Sequence, residues 1–333
     1  MATPMSFLTK GRLCDPEFVT TVRNDLARIA ELIRHEIDQS EEMFHAMVNH
    51  SDTPGTRLRP VLTVLAAHFG AHPGAWQVTV AGAALELMHL AAHDHNRVAD
   101  VPMTCSNTSR PSNRNSNNLA ILAGDHAFAI ASRLSSRLGT DAYRTIADTF
   151  TEMVTGQMRE TCGPARHADA LEHRLRVVHE KTGSITAAAG QLGATFAGAT
   201  ENEISRLSRV GRLVGTAFEV SDDILAIAGD HNEYNMQPSE YLPRGVESVP
   251  VLCALREQGP DANRLRELLA DPVDGHHAAE AITLLRSSSG IDDAKNVVAG
   301  VAAQAREELA SLPDCTARRA ISTLIDASIS RHR

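Results

Sequence analysis

Apolar residues recur every three or four positions along nearly the whole chain, and no stretch keeps the two-residue alternation of a strand. Phe18, Val22, Leu26, Ile29 and Ile33 fall on one helical face, as do Leu58, Leu62 and Leu65. From Ala75 to His95 the chain is apolar on nearly all sides, the pattern of a helix buried in the middle of a bundle. The same period predicts helices over 118–138, 140–160, 168–199, 202–229, 261–271, 276–287, 291–311 and 315–330. Abundant Ala and Leu suit such a bundle, and a 43% hydrophobic content supplies a large core. The expected class is therefore all-α.

Three polar segments break the pattern: 101–117, 162–167 and 229–249. Long polar loops inside a helical domain commonly carry function. No composition shift marks a boundary, so the expectation is one domain over 1–333, with residues 1–15 flexible.

Composition narrows the function. A net charge of −9 argues against nucleic acid as the main partner. Aromatics at 4% disfavour base-stacking surfaces. Five scattered cysteines without a CxxC pair read as a reduced set, and no stretch nears the ~18 apolar residues of a membrane span. A cytoplasmic protein with no membrane span is expected.

Three clusters carry candidate chemistry. In Gly55-Thr56-Arg57-Leu58-Arg59-Pro60, two arginines at a helix start can grip a diphosphate. Taken alone they equally read as a solvated helix end. In the stretch from Glu86 to Asp100, Asn96 and Asp100 stand four apart, so both can reach one cation. His89 and His93 have a zinc-compatible spacing but lack the glutamate of HExxH, and polar capping of a buried helix accounts for them as well. In the stretch from Phe218 to Asp230, Asp222 and Asp223 lie beside apolar residues, where buried carboxylates need a cation or partner. A solvated helix edge is the plain alternative.

In order and spacing, GTRLRP at 55–60, LELMHLAAH at 85–93, NLAILAGDHAFAIAS at 118–132, VTGQMRETCG at 154–163, EKTGS at 180–184 and GTAFEVSDDIL at 215–225 resemble the all-trans isoprenyl diphosphate synthases, the polyprenyl synthetase family. The resemblance implies a helical bundle around a deep central pocket, usually a homodimer. It implies diphosphate contacts from Arg57, Arg59, His89, Gln157 and Lys181, and small pocket residues at Ala91 and Ala92, which leave room for C15–C25 prenyl tails.

The departures from that family shape the functional expectation. Its GKRxRP lysine falls on Thr56, its first DDxxD on Asn96 to Asp100, and its downstream arginine pair on Cys105 and Ser106. The last aspartate of its second DDxxD falls on Ala226, and its late lid lysine and aspartate on Met236 and Tyr241. Asn96, Asp100, Asp222 and Asp223 remain as candidate catalytic groups, with Asn96, Asp100 and Asp222 as metal ligands. Arg97 can touch diphosphate oxygens directly or pair with Asp94 or Asp100. The expected Mg²⁺ requirement is weak or partly dispensable. With the second substrate's contacts depleted, the expected reaction is ionisation or cyclisation of a single prenyl diphosphate, in the manner of a terpene synthase. Alternatives are an inactive subunit partnering a homologous synthase in a heteromer, and residual chain elongation.

Overall fold

The computed structural model describes residues 15–38, 58–99, 111–229, 242, 248–270 and 275–330, with 97, 99, 111–116, 275, 276 and 330 described by backbone alone. Among them every regular element is helical. These are α1 (Pro16–Asp38), α2 (Leu58–Ala67), α3 (Trp76–Ala99), α4 (Pro111–Ser136), α5 (Thr140–Cys162), α6 (Ala170–Val178), a π-helical turn (His179–Gly183), α7 (Ser184–Ala197) and α8 (Glu201–Ala228). Then follow α9 (Val249–Ala254), α10 (Pro260–Ala270), α11 (Gly275–Ser287), α12 (Gly290–Ala310) and α13 (Thr316–Ser330). The all-α expectation holds, and most helix ends fall within two residues of the periodicity. No helix among the described residues is long and apolar enough to cross a membrane.

Local chemistry sets several of these ends. Thr200 and Glu203 form a reciprocal box at the start of α8: Glu203 Oε2 accepts from the Thr200 N–H at 2.8 Å, and Thr200 Oγ1 accepts from the Glu203 N–H. Gly163 ends α5 with φ of 70°, a left-handed cap that satisfies the Arg159 carbonyl. Two expectations are corrected. The Asn- and Ser-rich run before residue 118 is helical from Pro111, because proline suits a first helical turn whose N–H groups lack partners anyway. The stretch 168–199 is not one helix; the π-helical turn at His179–Gly183 divides it.

The described residues form two compact units. The first draws on 1–151, 185–211 and 312–323. Here α3 packs against α1, α2 and α4. Val22 and Ile29 of α1, Leu62 and Leu65 of α2, and Leu85, Leu87 and Met88 of α3 are fully buried, so the periodic faces read from the sequence are core faces. At Gly193 a side chain would sit 2.2 Å from the Thr63 carbonyl oxygen, so α7 and α2 touch backbone to backbone.

The second unit draws on 152–184, 212–311 and 324–333. Ala217, Val220 and Ile224 of α8 pack with Val178, Val249, Cys253 and Val298. Ile227 joins Val251, Leu265, Leu268, Ile282 and Leu285 in a further cluster. Arg286 closes α8 by donating to the carbonyls of Ile227 and Gly229 at 2.8 and 2.9 Å, a cationic cap on the negative helix end. The expected flexibility of residues 1–15 concerns positions that, Asp15 excepted, lie outside the described residues.

Candidate functional site

In the first unit the candidates sit on α2 and α3. Arg59 is buried on α2, its side chain 5% exposed, and donates to both Glu86 oxygens, Nε at 2.7 Å and Nη2 at 3.4 Å. This two-point pair ties α2 to α3 and commits the guanidinium to the protein interior. His89 is partly buried, with its ring centroid 6.3 Å from that of His93 in a stacked arrangement. Asn96 is partly buried, Ala91 fully buried and Ala92 partly buried. Beside Asn96, His95 Nε2 meets Asp125 Oδ1 at 3.2 Å, over Gly124, where any side chain would strike the imidazole at 2.4 Å. Arg57 and Asp100 lie outside the described residues, as does the side chain of Arg97. So do Thr56, Cys105, Ser106, Met236 and Tyr241.

In the second unit Lys181 and Asp223 belong to one charged network. Gly156 of α5 leaves space for the π-helical turn, since a side chain there would lie 2.9 Å from Lys181 Cγ. Lys181 Nζ then reaches Glu160 Oε2. The other Glu160 oxygen accepts from Arg174 Nη1 at 2.6 Å. Arg174 Nη2 continues to both oxygens of Asp223, at 3.1 and 3.3 Å, and the Val249 N–H donates to Asp223 Oδ2 at 3.1 Å. Thr182 donates to Glu219 at 2.9 Å, and Glu180 holds Arg159 and Arg176 on its two oxygens. The structure thus joins Lys181 and Asp223 through Glu160 and Arg174.

Burial and neighbouring charges oppose each other along this chain of groups. Burial works against ionised Glu160, but Lys181 and Arg174 outweigh it and hold the carboxyl below its ordinary range. Burial likewise opposes the charge on Arg174, and Asp223, Glu219 and Glu160 outweigh it. Burial raises Asp223 above its ordinary range, with the Glu219 charge adding to the rise, and Arg174 and the Val249 N–H oppose it only in part. Arginine does not deprotonate and both donors aim at Asp223 oxygens, so the ion pair is the state the geometry describes.

Asp222 and Asp223 are neighbours on α8 and point about 100° apart. Asp223 enters the network, and Asp222 is partly exposed. Gln157 Oε1 is buried without a hydrogen-bond partner. Among the described residues no group of three or more His, Cys, Asp or Glu side chains is placed to hold a metal ion. The His89–His93 spacing likewise yields no zinc site among them. A hollow of about 280 Å³ in the second unit, lined by Leu171, Cys253, Arg256, Glu257, Asp293 and Val297, contains none of the sequence-expected residues.

Arg174 escaped the sequence reading. Its signal is its position: Leu171, Arg174 and Val178 share one helical face, and an arginine on an apolar face needs a buried partner.

Sequence comparison decides the family. The polyprenyl synthetase pattern matches residues 41–285. The chain belongs to the polyprenyl synthetase family. It is 54% identical over 319 residues to a dimethylallyltranstransferase of Mycobacterium tuberculosis, spanning 96% of this chain and 97% of that one. It is 47% identical over 334 residues to a nonaprenyl diphosphate synthase of the same organism, spanning 100% of both chains. A geranylgeranyl pyrophosphate synthase from Corynebacterium glutamicum, solved with calcium and isoprenyl diphosphate, matches with a TM-score of 0.84 and 37% identity, covering 96% of this chain and 99% of that one.

These relatives overturn the expectation of a single-substrate, terpene synthase-like reaction. They are named for prenyl transfer and chain synthesis, and the inactive-subunit alternative gains nothing from them. The expectation counted lost motif carboxylates as lost function.

Proposed function

We propose that the protein elongates prenyl diphosphates, joining an allylic prenyl diphosphate to isopentenyl diphosphate. The observation that carries this reading is the 54% identity, over 96% of the chain, to a protein named as a dimethylallyltranstransferase. In such a reaction diphosphate leaves the allylic substrate, the double bond of isopentenyl diphosphate attacks the resulting cation, and the adduct cation loses a proton, which the released diphosphate can take up, to form the new double bond.

Within the first unit this reading gives diphosphate contacts to Arg57, Arg97 and His89 and a metal-ligand role to Asn96; within the second, taken by itself, it gives diphosphate contacts to Gln157 and Lys181 and a metal-ligand role to Asp222. Lys181 is a cation held in place by Glu160, and Gln157 can contact a diphosphate only through its amide NH2, since its buried Oε1 is an acceptor. Arg59, tied to Glu86, positions α2. Ala91 and Ala92 leave space for a C15–C25 tail. A bound Mg²⁺ would help neutralise the departing diphosphate, and the expected requirement for it is weak.

Self-association belongs to the same proposal. Ile121, Leu122 and Phe128 of α4 and Tyr143 of α5 leave large apolar side chains at the surface of the first unit, a face suited to a second copy of the chain.

Incubation with C10, C15 and C20 allylic diphosphates, with and without isopentenyl diphosphate and Mg²⁺, tests the reaction. Longer diphosphates that appear only with isopentenyl diphosphate are expected. Hydrocarbon or alcohol formed without it overturns the reading, as does a lack of turnover when a homologous synthase co-purifies.

A further inference from the structure

The second unit gathers three carboxylates around one guanidinium. Glu160 comes from α5, Glu219 and Asp223 from α8, and Arg174 reaches them from α6. Glu160 and Asp223 bond to Arg174 directly, and the charge of Glu219 acts on it as well. Glu219 and Asp223 stand four apart on α8, close enough to repel each other without a cation between the helices. The guanidinium is 9% exposed and the Asp223 side chain 14%, so solvent screens neither strongly.

Collecting hard oxygen donors from several helices is the work of a divalent ion. An arginine does it with a planar fork that remains charged at every accessible pH and that no chelator removes. The remaining donors to this set also come from the protein itself: the Val249 N–H to Asp223, the Thr182 hydroxyl to Glu219 and the Lys181 ammonium to Glu160.

We propose that Arg174 is the resident cation of Glu160, Glu219 and Asp223: it neutralises them as a divalent ion would, and it keeps such an ion from binding there. Asp223 is then a positioning residue that anchors Arg174, and Arg174 in turn fixes Glu160 beneath Lys181. A divalent ion that accompanies a diphosphate finds this corner already neutralised.

Mn²⁺ titration of the full-length protein without substrate, followed by electron paramagnetic resonance, tests this directly. The readout involves the metal alone, so a failure of the elongation reading leaves the titration interpretable. Arg174→Gln frees three carboxylates and is expected to raise Mn²⁺ affinity by about tenfold or more over wild type. Arg174→Gln combined with Asp223→Asn should lose that gain. A folded Arg174→Gln protein with wild-type Mn²⁺ affinity overturns the proposal. Should Arg174→Gln fail to fold, Asp223→Asn alone decides. Its Mn²⁺ binding, or lack of binding, should match wild type, because Asp223 is not a metal ligand while Arg174 is present. Weaker binding by Asp223→Asn than by wild type makes Asp223 a ligand and overturns the proposal.

Discussion

Arg59 and Glu86, 27 residues apart in sequence, form a buried pair with contacts at 2.7 and 3.4 Å. A buried pair of this kind contributes little over well-packed apolar residues, but breaking it strands a charge. Glu86→Gln should therefore lower stability by about 3–5 kcal/mol in chemical denaturation. Replacing both residues together, Arg59→Met with Glu86→Leu, should cost clearly less than Glu86→Gln alone.

Glu160 supplies a pH dependence. Its pKa is lowered in the folded protein, because Lys181 and Arg174 outweigh the effect of burial. A lowered carboxylate pKa adds stability above the unfolded value of about 4.3, and that stability is lost as pH falls through the folded pKa. Urea midpoints should place Glu160→Gln below wild type at neutral pH. The gap should close on acidification below about pH 4. A constant gap across that window would assign the difference to packing rather than to charge.

The contact between α7 and α2 makes Gly193 intolerant of any side chain. A methyl group there would lie 2.2 Å from the Thr63 carbonyl oxygen, and backbone cannot rotate aside. Gly193→Ala should cost about 2 kcal/mol or more, at or above the usual overpacking range. Thermal unfolding checks this, with Gly300→Ala as the control, since a side chain at Gly300 meets nothing within 4 Å.

Self-association through the exposed apolar face predicts a charge-sensitive oligomer. Leu122 is 54% exposed and stands beside Ile121 on α4. Leu122→Glu should shift the protein toward monomer in light scattering coupled to size exclusion, with helical content retained by circular dichroism. An unchanged mass would move the interface elsewhere.

Most of the fold was legible in the sequence because burial and helical period coincide. Val22 and Ile29 were placed on a core face by spacing alone, and both are fully buried. The start of α4 was not legible, since Ser and Asn mark loops in isolation while a first-turn proline favours a helix in context. Of the candidate site, Lys181 and Gln157 came from matched motifs. Arg174 did not, because its function depends on Glu160 and Asp223, which lie 14 and 49 residues away. Loss of motif aspartates is visible in the sequence and points toward a single-substrate reaction; the buried partners of Arg174 are not visible there.

The π-helical turn at His179–Gly183 carries one residue more than an α-helical turn would. Deleting His179 or Glu180 would restore ordinary helical hydrogen bonding. It would also swing Lys181 by about 100° relative to Arg174, so one Glu160 carboxylate could no longer serve both. Substitutions can accumulate in this segment, but its length cannot drift. Among descendants of this chain, insertions and deletions should collect in the connections between helices and be absent from these five positions.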